Sequence, residues 1–126
     1  MTKKHKDDVN SYGIELIIDL HDCNLESLVN KGKLTEFFVT LCEKIDMQRH
    51  GEPLFWEDYS DIPHLNGVSA MQFIETSTIV CHPLPILKSV YINIFSCKEF
   101  DPKVALDFCV NFWRAKKEIH TLIKRT

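Results

Sequence analysis

The sequence contains no apolar run approaching the roughly eighteen residues of a membrane-spanning helix, so no membrane span is expected. Its first residues, MTKKHKDDVNS, are polar and lack the apolar stretch of a secretory signal. It also lacks a positive excess: 15 Lys and Arg stand against 18 Asp and Glu, for a formal charge of −3. Its only basic clusters lie near the two ends, at Lys3, Lys4 and Lys6 and at Lys116, Lys117, Lys124 and Arg125, which argues against a nucleic-acid binder. The five cysteines (Cys23, Cys42, Cys81, Cys97, Cys109) are odd in number and lack zinc-type spacing. With no export signal they read as reduced thiols of a cytoplasmic protein, most of them packed as small hydrophobes. Cys81-His82 has no further ligands beside it in a four-ligand pattern, so no metal site is expected. Neither a repeat nor a Pro/Gly/Ser-rich linker divides the chain. Residues 1–12 read as a polar tail and residues 13–126 as a single domain.

What is present is a sequence that is 44% hydrophobic and 26% charged, the balance of a folded domain. Gly13–Leu20 is short and rich in β-formers, a strand. Asn24 is a candidate cap for a following helical turn, and Gly32 an interruption. Leu34, Phe37, Phe38, Leu41, Cys42 and Ile45 recur at helical spacing and predict one apolar stripe. Pro53–Trp56, Val68–Glu75 and Thr78–Cys81 read as strands, the last ended by Pro83 and Pro85. In the strand Ser89–Cys97, Val90, Ile92 and Ile94 share one face, and Tyr91, Asn93, Phe95 and Cys97 the other. Asp101-Pro102 is a helix start, followed by a stripe of Ala105, Phe108, Cys109 and Phe112. A last strand falls near Ile119–Ile123. The order β-α-β-β-β-β-α-β predicts an α+β fold: a two-layer sandwich with a mostly antiparallel sheet and two helices on one face. The other sheet face is left free for a partner or a site.

Reactive residue types concentrate in the middle: Gly67-Val68-Ser69, then Glu75-Thr76-Ser77-Thr78-Ile79-Val80-Cys81-His82, then Ser96-Cys97. Alone, a serine, a histidine and a cysteine on adjacent short strands do not make a site, because catalysis needs geometry as well as residue types. The spacing is nevertheless specific. Gly-Val-Ser is followed eight residues after Ser69 by Ser77, five later by His82, then by Phe95-x-Cys97 and by Asp101-Pro102-Lys103-Val104-Ala105-Leu106. This pattern resembles the prokaryotic S-adenosylmethionine decarboxylases, and Gly13, Leu16, Asp19 and Cys23 echo that family's first strand. The resemblance spans Gly13 to Lys117 and is strongest from Gly67 onward.

The resemblance implies a self-processing pyruvoyl enzyme of the cytoplasm, acting in polyamine (spermidine) synthesis. Ser77 would attack the carbonyl of Thr76, the chain would split between Thr76 and Ser77, and Ser77 would become a covalently bound pyruvoyl group. By the same resemblance Ser69 supports the oxyanion, His82 takes the ester's α-proton, and Cys97 protonates the carbon that loses carbon dioxide. Phe55 and Trp56 are candidates to stack a substrate base, and Asp19 to contribute a carboxylate. The family's dimers imply a homodimer of processed protomers, with a small-molecule substrate as the other partner. The sequence departs from the family at three places. Thr76 replaces a glutamate, Thr78 a histidine, and Pro83-Leu84-Pro85-Ile86 a Thr-Trp-Pro-Glu whose acid helps bind ribose. Ile86 cannot accept a hydrogen bond there. Two other readings are therefore carried: a pyruvoyl decarboxylase of a smaller amino acid such as ornithine or arginine, and a non-processing paralogue that serves as a binding or regulatory partner.

Overall fold

Alternating apolar residues make a sheet that buries one face. The structure, a computed structural model, describes residues 11–126. In chain order it contains β1 (Gly13–His21), α1 (Lys31–Lys44), β2 (Leu54–Asp58), β3 (Gly67–Ile74), β4 (Ser77–Leu84), β5 (Ser89–Ser96), α2 (Pro102–Phe112) and β6 (Lys117–Arg125). One sheet holds all six strands in the order β2-β3-β4-β5-β1-β6, with every neighbour antiparallel. The expected α+β sandwich is the observed one. Among the described residues no helix is long and apolar enough to cross a membrane.

The core lies between the helices and one sheet face. Leu16, Ile18 and Leu20 of β1, Ile79 and Cys81 of β4, and Val90, Ile92 and Ile94 of β5 are all buried there. The α1 stripe of Leu34, Phe37, Phe38, Leu41 and Cys42 meets them. Phe37 stands at the centre, with the rings of Phe38, Phe108, Phe112 and Trp113 at centroid distances of 5.2–5.8 Å. Removing these surfaces from water is the main force holding helices to sheet.

Local chemistry corrects three details of the sequence reading. Asn24 caps nothing; its backbone N–H donates to the Arg114 carbonyl. Asn30 is the cap of α1, its side chain accepting from the Lys33 N–H at 2.9 Å, and Gly32 falls in the first helical turn rather than interrupting a helix. Pro83 does not end β4, which runs on to Leu84. The β3–β4 register ends at Ala70–Cys81, so at Pro83 the strand pairs only with β5, through Val90. A missing N–H is tolerated where the ladder to β3 has ended, although the Gly67 backbone of β3 still lies against the Pro83 carbonyl. The Asp101 cap of α2 is as expected, accepting from the N–H groups of Lys103 and Val104.

Candidate active site

Two groups of side chains stand along β4. The first is at the β3–β4 hairpin. Pairing of Ile74 with Ser77 leaves Glu75-Thr76 as a two-residue turn. Glu75 has φ +54° while Thr76 does not enter positive φ, the pattern of a turn that prefers glycine at its first position. A side chain there costs on the order of 1 kcal/mol. Lys98 holds the turn through an ion pair with Glu75 at 3.3 Å. Just past the turn, the buried Ser77 hydroxyl accepts from the Cys97 backbone N–H at 2.9 Å. On the other side of the Thr76–Ser77 peptide, the Thr76 hydroxyl donates to Cys97 Sγ at 3.1 Å. Thus the fold gathers Thr76, Ser77 and Cys97 at one point.

The second group lies on the sheet face turned away from the helices. His82 Nδ1 and Ser69 Oγ are 2.8 Å apart. Tyr91 is opposite His82 across β5, and Asp19 opposite Tyr91 across β1. Trp56 is opposite Ser69 and 74% exposed. Trp56, Asp58, His64, Ser69, His82 and Tyr91 line a groove of about 400 Å³. Phe55, one residue from Trp56, packs against the core with the Lys31 ammonium 5.7 Å from its ring centre. Strand alternation therefore separates the two aromatics. Partial burial lowers the pKa of His82 from 6.5, so its imidazole is neutral at pH 7.

The two groups do not meet within the chain. Ser77 and His82 are five residues apart on a regular strand, about 16 Å. The odd spacing turns Ser77 inward and His82 outward, as their burial shows. Between the groups, Asn93 donates to Glu15 at 2.6 Å, Arg125 pairs with Glu15, and the Arg125 guanidinium lies 5.0 Å from the Phe95 ring centre. The remaining cysteines are packing residues. Burial pushes the Cys23 and Cys42 thiols up to about 11 and raises those of Cys81 and Cys109 further.

The family model for S-adenosylmethionine decarboxylase matches residues 14–126. The chain belongs to this family. The crystal structure of the adenosylmethionine decarboxylase from Aquifex aeolicus VF5 has the same fold, with a TM-score of 0.76 over 93% of this chain and 92% of that one, at 12% identity. No curated protein matches in sequence. Family and fold together support a decarboxylase-like function for the chain.

The serine-derived group expected from the sequence falls at Ser77. A small buried hydroxyl, one backbone N–H aimed at it and a thiol beside the preceding residue are compatible with such a group. Sequence reasoning missed several neighbours. Tyr12 stacks on Phe95 and places its hydroxyl 3.2 Å from Thr76 Oγ1. His21 Nδ1 lies 3.0 Å from Ser89 Oγ, and its ring stands edge-on to Tyr91. Alternation along β1 and β5 puts Asp19 with His21 and Tyr91 with Cys97 on one face, but a pairing across 68 residues has no local signal.

Proposed function

We propose that the chain is a self-processing, pyruvoyl-dependent decarboxylase of S-adenosylmethionine that supplies polyamine (spermidine) synthesis. The observation that carries this reading is the Ser77 hydroxyl, held by the Cys97 N–H at the exit of a turn with unfavourable backbone geometry. Ser77 Oγ attacks the Thr76 carbonyl carbon, exchanging the amide for an ester. Elimination then frees residues 1–76 with a terminal carboxylate, and hydrolysis of the new N-terminus releases ammonia and leaves the pyruvoyl group. Once formed, that group supplies an electrophilic carbonyl that accepts the electrons released with carbon dioxide. Cys97 holds the proton delivered to the carbon that loses carbon dioxide.

The open-face residues support substrate handling. Trp56 offers an exposed ring to an adenine or to the sulfonium of the substrate, and Asp19 a carboxylate in the same cross-strand row. The neutral His82, fixed by Ser69, is a base in this groove. Its distance from Ser77 argues against either residue assisting cleavage within the same chain. Exposed Leu54, Trp56, Phe73 and Ile119 support a homodimer of processed protomers.

Intact-protein mass spectrometry of the wild type and of Ser77→Ala tests the reading, together with release of labelled carbon dioxide from carboxyl-labelled S-adenosylmethionine. The expected result is two fragments split between Thr76 and Ser77, an uncleaved variant, and release only from the cleaved protein. A wild-type chain that stays whole overturns the proposal and favours the non-processing paralogue. Cleavage with release from ornithine or arginine instead would move the substrate to the smaller amino acids.

A further inference from the structure

We propose that Lys98 is a positioning residue for self-cleavage: Lys98 and Cys97, consecutive in the chain, hold the Thr76–Ser77 peptide from its two sides. This rests on the reading of Ser77 as the nucleophile. The Cys97 N–H donates to Ser77 Oγ at 2.9 Å, and the Lys98 ammonium pairs with Glu75 Oε1, one residue before Thr76, at 3.3 Å. The Lys98 side chain is 12% exposed and that of Glu75 29%, so water screens this pair less than it would a surface ion pair. Attack needs the hydroxyl oxygen within reach of the Thr76 carbonyl carbon and over a face of its peptide plane. Rotation of the Ser77 side chain sets the first, and the turn before it sets the tilt of the plane. Each is held by one of the two contacts.

One segment carries both holds. The buried Ser96 hydroxyl donates to the Lys98 carbonyl at 2.8 Å and accepts from the Lys98 N–H at 3.0 Å, which fixes the backbone of residues 96–98 at the end of β5. Cys97 and Lys98 therefore move together or not at all. On the turn side, Glu75 stands at φ +54°, a conformation that an L residue keeps only when its surroundings hold it there. The ion pair supplies that hold through the side chain of the strained residue itself. It acts while Glu75 and Thr76 are still joined to Ser77, and cleavage ends its role.

Cell-free synthesis of the full chain, followed by intact mass over time, gives the half-time of cleavage. Lys98→Met removes the charge at similar length, Lys98→Arg keeps it, and Glu75→Gln removes the partner charge. Lys98→Met and Glu75→Gln are each expected to slow cleavage about threefold to tenfold. The double variant should be no slower than either alone, because the same single interaction is lost, and Lys98→Arg should recover most of the rate. Urea midpoints of these variants in a Ser77→Ala background, where every chain stays whole, read folding separately. If Lys98→Met does not fold, Glu75→Gln, at the more exposed partner, carries the test. A wild-type half-time in a folded Lys98→Met or Glu75→Gln overturns the proposal, as do effects that multiply in the double variant. A wild-type chain that never splits overturns the decarboxylase reading and this role together, whereas a Lys98→Met chain that splits at the wild-type rate removes this role alone.

Discussion

A methyl group added at Gly13 should disturb both the sheet and the candidate centre. The Cβ of Gly13→Ala would run into the Ser96 carbonyl oxygen and come within 2.8 Å of both the Ser96 carbonyl carbon and Cys97 Cα. All three are backbone atoms, so no side chain can swing away. Overpacking of this kind costs typically about 1–3 kcal/mol, and rigid neighbours place Gly13→Ala toward the upper end. For a domain of this size, that lowers Tm by about 10 °C. Urea denaturation followed by circular dichroism should show a lower midpoint with an unchanged slope. The displaced segment also carries the N–H that holds Ser77, so the half-time of self-cleavage should lengthen in parallel. Gly32→Ala is the control: in the first turn of α1, its Cβ would meet only Asn30 Oδ1, at 3.3 Å. Its midpoint should stay at or slightly above wild type. A Gly13→Ala protein with the wild-type midpoint would refute the close-approach argument.

Phe37→Ala removes the centre of the aromatic cluster and should cost about 3–5 kcal/mol by urea denaturation, whereas Trp56→Ala, on the open face, should stay within about 0.5 kcal/mol. His82 gives a pH signature. Its folded pKa is lowered from 6.5 by burial, so well above pH 6.5 it is neutral in both states and adds no pH dependence. As pH falls from there through the folded value, the unfolded chain binds a proton that the folded chain resists, and stability declines. Urea midpoints at pH 7.5, 6.5 and 5.5 should show this decline, and His82→Gln should flatten part of it. An unchanged slope in the variant would show that burial of this imidazole is not felt.

Elements whose signal is local were legible in the residues themselves. The Leu34–Ile45 stripe, the Asp101-Pro102 start and the alternation of Ser89–Cys97 each follow from periods of 3.6 or 2, which a chain carries wherever it folds. Asn24 and Asn30 are equally good caps by residue type, and only the packing of the apolar stripe selects Asn30 as the start of α1. Pro83 reads as a terminator in the sequence because a proline's tolerance depends on whether a neighbouring strand needs its N–H, which no local pattern reveals.

The same division runs through the candidate site. The sequence by itself determined the order of elements, the apolar stripes of the two helices, the alternation of β5, and the residue types at the spacing of the S-adenosylmethionine decarboxylases. That Ser77 and His82 share a strand, and so face opposite sides of the sheet, follows only from the structure, which extends β4 at both ends beyond the expected Thr78–Cys81. Only the tertiary structure decided which residues meet. Antiparallel register brings Cys97 to Ser77 and Thr76, Ser69 to His82, and Tyr12 to Phe95 and Thr76. The physical reason is range: backbone periodicity acts within a few residues, whereas register is set by burying the sheet's inner face as a whole. A slip of one residue would turn that face to water, and with it every pairing on the open side would be lost.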